Sequence, residues 1–252
     1  MTSIGIYGSL GRMGQAIIDV APGLGASIAG GADAQDDPAI IAARADVLVD
    51  FSAASALEAH LAAARAARTP IMIGTTGLNQ RQHELIDAAA TEIAVLQTGN
   101  TSMGVGLLAR LVREAAARLG SEWDIEIVEM HHRHKADAPS GTALMLGKAA
   151  AEGMGTTLGE AQVTDRAGLT GARCGGTIGM ASLRGGSVVG DHSVVFATAG
   201  ERIELIHRAD DRAIFARGAV QAALWLAGRR PGRYTMDSVL GDSVLGDSVR
   251  GG

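Results

Sequence analysis

The chain has 252 residues, of which 47% are hydrophobic, 19% are charged and 3% are aromatic, and its formal net charge is -5. This composition predicts a sizeable aliphatic core, and the acidic balance with few aromatic residues argues against a nucleic-acid partner. A single cysteine, Cys174, excludes an internal disulfide. Without a leader sequence or an apolar run of membrane-spanning length, we expect no membrane partner and a cytoplasmic location.

A glycine-rich turn follows the first apolar strand, Ser3–Tyr7, and leads into a helical segment over 15–20. The turn has the spacing Gly-x-x-Gly-x-x-Gly from Gly8 to Gly14, a variant of the commoner dinucleotide fingerprint. Glycines permit the tight turn and let a pyrophosphate approach the first amides of the helix. The order of strand, turn and helix therefore predicts a dinucleotide site, and an ordinary turn is the structural alternative.

An acidic residue, Asp33, follows the second predicted strand, Ala26–Gly30. An acid at this distance from the glycine turn can bind both hydroxyls of an adenosine ribose. Ala34 comes next, where an arginine would neutralise a 2′-phosphate, and Asp33 itself would repel that phosphate. The sequence therefore predicts a preference for NADH over NADPH, unless Arg12 or Arg44 reaches the same space.

Three further apolar runs, at 46–51, 70–74 and 92–96, alternate with alanine-rich helical segments. This alternation predicts a parallel sheet covered by helices. Threonine-rich turns, Gly74–Gly77 and Thr98–Ser102, follow two of these runs at strand ends, where open α/β sheets bind ligands. They are candidates to wall the nicotinamide, although such turns also cap helices.

The segment from Glu129 to Ala143 gathers groups that suit acid–base chemistry on an anion. A predicted strand, Asp124–Met130, leads into His131-His-Arg-His-Lys135 and places Ile125, Ile127 and Glu129 on one face. Neighbouring cations favour neutral imidazoles, which can exchange protons near neutral pH. A solvated basic turn and a histidine metal site are the alternatives. The acidic net charge argues against the first, and the absence of i, i+4 histidine spacing argues against a metal.

The same segment ends in a predicted helix start, with Ser140 as the N-cap of the apolar run Ala143–Ala151. The first amides of a helix lack intrahelical partners and carry partial positive charge, so they stabilise a carboxylate or a phosphate. Gly141 lets a ligand approach the backbone, and Thr142 adds a hydroxyl donor. The sequence therefore predicts that a small anion binds here and reacts.

Residues 103–211 are predicted to form a second domain, an α+β substrate and oligomerisation domain with a mixed sheet. Residues 1–102 and 212–252 are assigned to a Rossmann-like dinucleotide-binding domain, so the overall class is α/β. The second domain begins with a helix over 105–119 and contains strands near 177–183, 187–198 and 201–207. A helix over 211–227 is expected to return to the first domain, because its apolar stripe needs a surface to cover.

Further predictions concern single features of the second half of the chain. His192 and Glu204 are interpreted as satisfied residues on a sheet face. The glycine-rich stretch 168–176 is expected to be either a mobile loop or an oligomer contact. The tail repeats Asp-Ser-Val with a period of five from Asp237. Its first copy is expected to end the fold as a helical turn or a strand, and the later copies to fray.

Together these motifs resemble the 4-hydroxy-tetrahydrodipicolinate reductase family, formerly called dihydrodipicolinate reductase. The resemblance covers nearly the whole chain. It rests on Gly-Arg-Met-Gly at 11–14, Gly-Thr-Thr-Gly at 74–77, the segment 129–143 and the run Arg184–His192. Ala34 and Ala53 stand where members of the family often have arginine, which weakens phosphate contacts for NADPH, and Thr101 replaces a frequent phenylalanine.

The resemblance implies a usually homotetrameric enzyme of diaminopimelate and lysine biosynthesis, in which NADH or NADPH delivers hydride to a cyclic imine dicarboxylate. It implies that His131 donates or accepts a proton and that Lys135 donates one. The substrate carboxylate would be held by His132, Gly141 and Thr142. The cofactor would be lined by Gly8, Ser9, Leu10, Gly11, Arg12, Met13, Asp33, Gly74, Thr75, Thr76, Thr98, Gly99, Asn100 and Thr101.

Two functions of other kinds remain open at this point. One is a different nicotinamide enzyme on a similar scaffold, such as an amino-acid or semialdehyde dehydrogenase, for which Cys174 is poorly placed as a nucleophile. The other is a non-catalytic dinucleotide sensor, which would have no need for His131, His132 and Lys135.

Overall fold

The computed structural model describes residues 1–241, which form two compact units. The first unit contains Met1–Met103 and the chain from Ala213 onward, and the second contains Gly104–Arg212. The second and third copies of the tail repeat lie outside the described residues. The first copy forms a short helix, one of the two structures expected for it.

Eleven strands and nine α-helices follow one another along residues 1–241. The strands are β1 (Thr2–Tyr7), β2 (Ala26–Ala32), β3 (Val47–Asp50), β4 (Ile71–Ile73), β5 (Ala94–Gln97), β6 (Asp124–His131), β7 (Gln162–Val163), β8 (Ile178–Arg184), β9 (Gly190–Thr198), β10 (Glu201–Ala209) and β11 (Gly232–Tyr234). The helices are α1 (Arg12–Val20), α2 (Pro38–Ala42), α3 (Leu57–Ala67), α4 (Gln80–Ala90), α5 (Met103–Leu119), α6 (Gly141–Met154), α7 (Leu158–Ala161), α8 (Ala213–Leu226) and α9 (Met236–Leu240).

The first unit is built on a six-stranded sheet in the order β11-β5-β4-β3-β1-β2, with every neighbouring pair parallel. Successive residues of a strand face opposite sides of the sheet. Val47 and Val49 accordingly pack in the core formed with α1 and α8, whereas Leu48 packs in the core formed with α2, α3 and α4. Helices therefore cover both faces, and the predicted Rossmann-like α/β fold is confirmed.

The second unit contains a five-stranded mixed sheet in the order β10-β9-β6-β8-β7. Strand β6 is antiparallel to β9 and parallel to β8. Helices α5 and α6 cover one face, where Leu108, Leu146, Ile127 and Phe196 share a core. The predicted mixed sheet packed with helices is confirmed. The short elements β7 and α7 were not predicted, because segments of two and four residues show no periodicity.

Helix α8 packs on the sheet of the first unit. Its apolar stripe of Ala219, Ala222, Ala223 and Leu226 is buried. A Cβ atom at Gly218 would lie 1.8 Å from the carbonyl oxygen of Thr101, so the helix approaches this backbone more closely than any larger residue would allow. The stripe thus covers the surface that it was expected to need.

Aliphatic side chains dominate the cores, as the composition predicts. Tyr7 and Phe196 are the aromatic residues among the largest fully buried side chains. Within residues 1–241, no helix combines the length and the apolar character needed to cross a membrane.

Candidate active site

Strand β6 carries two of the polar residues of the candidate site into the interior of the second unit. Ile125, Ile127, Glu129 and His131 alternate along the strand and are all buried. The two isoleucines belong to the hydrophobic core, so the same face continues from apolar residues into a carboxylate and an imidazole. The shared face predicted for the first three residues is confirmed.

Glu129 is 1% exposed and accepts hydrogen bonds at both carboxylate oxygens. Oε2 lies 2.6 Å from Nδ1 of His131 and 2.8 Å from Nη1 of Arg184, and Oε1 lies 2.8 Å from Nη2 of Arg184. Burial alone would raise the pKa of Glu129, but the hydrogen bonds from Arg184, His131 and Ser182 outweigh it and lower the pKa to about 2. The carboxylate is therefore ionised at neutral pH.

An ionised carboxylate only accepts hydrogen bonds, so Nδ1 of His131 must carry a proton. The other ring nitrogen, Nε2, is then the atom that takes up or releases a proton. A Cβ atom at Gly190 would lie 3.0 Å from Nε2, so the glycine keeps a side chain away from this nitrogen. Sequence reasoning gave Arg184 no role, although it begins one of the motifs that carry the family resemblance.

The start of helix α6 is bound to the same carboxylate. The amide of Ser140 donates to Oε1 of Glu129 at 3.2 Å, and Oγ of Ser140 accepts from the amide of Ala143 at 3.1 Å. The predicted N-cap is thus confirmed. Gly141 is exposed, and a Cβ atom there would meet no atom within 4 Å, so a ligand has access to the backbone. Thr142 follows in the same turn and is half-buried.

His132 and Lys135 lie in the loop between β6 and α6. Burial, followed by the positive charges of Arg212 and His134, lowers the pKa of His132, which favours the neutral imidazole. Nζ of Lys135 donates to the two carboxylate oxygens of Asp137 at 2.8 and 2.9 Å. Within residues 1–241, no group of three or more His, Cys, Asp or Glu side chains is arranged to hold a metal ion.

His192 lies on β9 directly opposite Glu129, and its surroundings correct the prediction that it is a satisfied residue. Its Nε2 lies 3.1 Å from Oγ of Ser140, but its buried Nδ1 has no hydrogen-bond partner among the described residues. Burial, and then the charge of His131, lowers the pKa of His192 to about 4, so the ring is neutral at neutral pH. The prediction was wrong because the ring is buried where β6, β9 and the start of α6 meet, and no described residue there offers Nδ1 a hydrogen bond. Glu204 is exposed and pairs with Arg202.

The glycine-rich turn between β1 and α1 is too tight for larger residues. Gly8 has a φ of +80°, in the left-handed region, and a Cβ atom there would lie 2.8 Å from the carbonyl oxygen of Phe51. A Cβ atom at Gly14 would lie 2.3 Å from the carbonyl oxygen of Gly8. Helix α1 begins directly after Gly11, which supplies no side-chain cap for its first amides. This arrangement fits an anionic pyrophosphate at the helix start.

Asp33 contacts this turn through its carboxylate. Its Oδ2 accepts from Oγ of Ser9 at 2.6 Å and from the amide of Leu10 at 3.2 Å. A cavity of about 500 Å³ opens beside them. Neither arginine nor lysine occurs among the described residues that line it, which are Gly8, Gly11, Ala32, Asp33, Ala34, Phe51, Ser52, Ala53, Ser55, Ala56 and His60.

The two threonine-rich turns lie at the ends of the neighbouring strands β4 and β5. A Cβ atom at Gly99 would lie 3.8 Å from Cγ2 of Thr76, so the turns are adjacent. Oγ1 of Thr75 donates to Oδ1 of Asp50 at 3.1 Å, and Oγ1 of Thr101 donates to the carbonyl oxygen of Phe215 at 2.7 Å. Oγ1 of Thr98 donates to the carbonyl oxygen of Asn100. These three hydroxyls therefore stabilise the turns themselves.

Sequence reasoning missed a buried pair beside the cavity, formed by Asp50 and His60. Asp50 ends β3 and is fully buried, and its Oδ2 lies 2.8 Å from Nδ1 of His60. The imidazole stacks on the ring of Tyr7 with 3.9 Å between the ring centroids. One signal was available, because an aspartate at the carboxyl end of a parallel strand commonly marks a ligand-binding edge.

Two arginines hold the glycine-rich stretch that precedes β8. Arg173 donates to carboxylate oxygens of Asp124 and Glu126, and Arg166 donates to Glu126. The stretch is thereby tied to β6. Cys174, which lies within it, is exposed.

Two family models of dihydrodipicolinate reductase match this chain. The amino-terminal model matches residues 2–101, and the carboxy-terminal model matches residues 104–240. The chain belongs to the dihydrodipicolinate reductase family. The family inferred from the sequence motifs is thus confirmed.

Relatives within the dihydrodipicolinate reductase family match over most of their length. The 4-hydroxy-tetrahydrodipicolinate reductase of Zymomonas mobilis is 55% identical over 245 residues, which cover 94% of this chain and 96% of the relative. The enzyme of the same name from Parvibaculum lavamentivorans is 49% identical, with the same coverage. The dipicolinate-bound dihydrodipicolinate reductase from Paenisporosarcina sp. TG-14 shares the fold, with a TM-score of 0.74 at 23% identity over 93% of this chain and 97% of that structure.

Membership of the dihydrodipicolinate reductase family makes this protein an oxidoreductase of lysine and diaminopimelate biosynthesis. Its amino-terminal part is a pyridine-nucleotide-binding domain, which takes NAD(P)H. The glycine turn and the cavity beside Asp33 lie in this part of the chain. The segment from Glu129 to Thr142 lies in the part matched by the carboxy-terminal model.

Proposed function

We infer that this protein reduces 4-hydroxy-tetrahydrodipicolinate to tetrahydrodipicolinate in the cytoplasm, with a nicotinamide cofactor as hydride donor. The observation that carries this inference is the buried, ionised Glu129, which binds both His131 and the start of α6. A proton-transfer group and an anion-binding helix terminus are thereby connected. A cyclic imine dicarboxylate requires both, because its carboxylates must be bound while protons move as water leaves and hydride arrives.

Each residue of the segment takes one role in this proposal. His131 exchanges a proton at Nε2, and Lys135 donates a proton from Nζ once its pairing with Asp137 opens. His132 and the amides of Gly141 and Thr142 hold a substrate carboxylate. Hydrogen bonds to a carboxylate strengthen when water is excluded, so closure over the substrate would increase the contribution of each contact.

The first unit fits a dinucleotide, because glycines form its turn where a Cβ atom would collide with the backbone. When bound, the nicotinamide supplies the hydride. We assign the pyrophosphate to the turn and helix start, the adenosine ribose to Asp33, and the nicotinamide to the two threonine-rich turns. The residues of these three groups are Gly8, Ser9, Leu10, Gly11, Arg12 and Met13; Asp33; and Gly74, Thr75, Thr76, Thr98, Gly99, Asn100 and Thr101.

We propose that NADH is preferred over NADPH. The ribose hydroxyls of NADH can donate to the carboxylate of Asp33, replacing its contacts with Ser9 and Leu10. A 2′-phosphate would instead face that carboxylate in a cavity lined by neither arginine nor lysine among the described residues. Repulsion between two anions then disfavours NADPH.

We also propose a homotetramer that uses the sheet face opposite α5 and α6. On β6, β8, β9 and β10, the residues that alternate with the core-facing ones share this face, as the strand pairing shows. The larger apolar side chains on this face are exposed or half-buried, and they are Val128, Met130, Leu183, Val195 and Ile206. Such a surface favours association. Light scattering on the purified protein would show a mass of four copies, and the mass of one copy would reject the proposal.

The activity is tested with purified protein and a coupled dihydrodipicolinate synthase that generates the substrate. Oxidation of NADH or NADPH is followed by absorbance. Rapid oxidation that depends on the synthase supports the reductase, and no oxidation with either cofactor contradicts it. A non-catalytic sensor would still bind NADH under these conditions, and another dehydrogenase would oxidise it only with a different substrate.

The same assay tests the cofactor preference through kcat/KM for NADH and NADPH. Asp33→Asn removes the repelling charge and should change the ratio toward NADPH by about tenfold, or ~1.4 kcal/mol. Asp19→Asn, an equal change of charge at an exposed position of α1, is the matched control and should leave the ratio unchanged. A wild-type ratio at or below one would reject the preference.

A further inference from the structure

Glu129 contacts two different parts of the proposed site. One carboxylate oxygen binds Nδ1 of His131 at 2.6 Å, and the other binds the amide of Ser140 at 3.2 Å. Ser140 in turn caps α6 through the amide of Ala143. A single buried side chain thus connects the imidazole to the helix terminus.

We propose that Glu129 is a positioning residue that sets the tautomer of His131 and holds its imidazole in register with the amino terminus of α6. This inference rests on the proposed function, in which His131 exchanges a proton while Gly141 and Thr142 hold a substrate carboxylate. It gives a role to a side chain that neither transfers a proton nor touches the substrate.

The hydrogen bonds leave Glu129 little freedom. Two bonds from the guanidinium of Arg184 form a bidentate pair, which is both strong and geometrically specific. The amide of Ser140 and Nδ1 of His131 approach from two further elements, and the side chain is 1% exposed. Rotation of the carboxylate would break several of these bonds in a site with little access to water. The fixed carboxylate therefore also fixes the orientation of the His131 imidazole that it binds.

The charge of Glu129 also influences the proton affinity of its partner. A carboxylate in contact with an imidazole favours the protonated ring. Most of the other groups that face His131 are cationic or neutral: Arg184 from β8, neutral His192 from β9, and His132 and Lys135 from the following loop. Removing the charge of Glu129 would take away the carboxylate that contacts the imidazole at 2.6 Å. Loss of an adjacent carboxylate disfavours a protonated imidazole, so the pH profile of the reaction should move downward.

The test compares Glu129→Gln with Glu126→Gln. Gln keeps the shape of the side chain but removes its charge. It also replaces one acceptor oxygen by an NH₂ group, which donates hydrogen bonds. Glu126 lies on the same strand and pairs with Arg166 and Arg173, so Glu126→Gln is a matched control. We expect Glu129→Gln to lower kcat by about tenfold or more and to raise the substrate KM. The corresponding limb of the pH profile should move about one unit lower.

The KM for NADH should stay at the wild-type value in both variants, and Glu126→Gln should keep the wild-type pH profile. A wild-type pH profile and kcat in Glu129→Gln would overturn the proposal. Failure of the proposed function gives a different result, because the wild-type protein itself would then not oxidise NADH with the substrate.

A second variant separates positioning from simple charge balance. Glu129→Gln leaves the guanidinium of Arg184 without its ion pair, which could destabilise the fold. Glu129→Gln combined with Arg184→Gln removes both charges and avoids this penalty. We expect the combined variant to keep the shifted pH profile and to bind dipicolinate more weakly in calorimetry. Recovery of wild-type turnover and pH profile in the combined variant would show that Glu129 only neutralises Arg184, and would overturn the proposal.

Discussion

The two units build their proposed sites from different groups. In the first unit, the turn from Gly8 to Gly14 offers backbone amides and space, and Asp33 is the principal charged side chain beside it. In the second unit, the buried carboxylate of Glu129 binds both His131 and the half-buried Arg184. Backbone amides suffice to bind a pyrophosphate, whereas proton transfer needs one side chain in one tautomer. Substitutions should therefore impair the first site mainly by steric crowding, and the second mainly by changing its charged and proton-exchanging groups.

The largest effect is expected from the side-chain site. His131→Gln removes the nitrogen that we propose exchanges the proton, so kcat should fall by about 10²- to 10⁴-fold, the usual contribution of a general acid or base. The affinity for NADH should stay near the wild-type value, because the glycine turn is unchanged. Steady-state kinetics and NADH titration measure the two quantities.

His134→Gln is the matched control for this change, since His134 is exposed in the same loop. It should alter kcat by no more than about threefold. Unchanged turnover in His131→Gln would remove His131 from the proton-transfer role. An effect confined to NADH affinity would contradict the division between the two sites.

A smaller effect is expected when the backbone site is crowded. In Gly14→Ala, the new Cβ atom would lie 2.3 Å from the carbonyl oxygen of Gly8, so the turn must open. The KM for NADH should rise about tenfold, and the free energy of unfolding should fall by about 1–3 kcal/mol, the usual cost of overpacking. Kinetics over a range of NADH concentrations and denaturant unfolding measure these changes.

Gly23→Ala makes the same chemical change at a position where a Cβ atom meets nothing within 4 Å. Its KM for NADH and its stability should match those of the wild-type protein. If Gly14→Ala also bound NADH normally, the tight turn would not be the pyrophosphate site. The pH profile of kcat should be unchanged in both variants, because neither substitution changes a residue of the second unit.

The sequence predicted best the features that depend on neighbouring residues. The glycine turn follows from spacing alone, and the cap at Ser140 follows from the order of residues at the start of α6. The burial of Glu129 beside Ile125 and Ile127 follows from alternation along one strand. A parallel sheet covered by helices in the first unit also followed from the regular alternation of strands and helices. These signals are local, so one sequence is enough to detect them.

The contacts between distant segments could not be predicted in the same way. Arg184 reaches Glu129 because β8 pairs with β6 in one register, and His192 lies opposite Glu129 because β9 pairs on the other side. A shift of one residue in either pairing would place these side chains on the other face. The prediction that His192 is satisfied failed for this reason. His60 was missed likewise, because its partner Asp50 comes from another element.

The smallest effect is a difference in acid stability between the units. The pKa of Glu129 is lowered from 4.5 to about 2, so its stabilising contribution is present above pH 4.5 and is lost as the pH falls toward 2. The pKa of His192 is lowered from 6.5 to about 4, because the buried ring stays neutral while the unfolded chain binds a proton. Stability is therefore lost between pH 6.5 and 4. Both groups lie in the second unit, so this unit should lose stability first as the pH falls.

The two tryptophans report on the two units separately, since Trp123 packs in the core of the second and Trp225 in that of the first. In acid titrations of the Trp225→Phe and Trp123→Phe variants, the emission of Trp123 should change at higher pH than that of Trp225. His192→Asn should move the Trp123 transition to lower pH, because the ring that resists protonation is gone. Coincident transitions would mean that the two units unfold cooperatively. The acid sensitivity caused by Glu129 and His192 would then extend to the cofactor-binding unit as well.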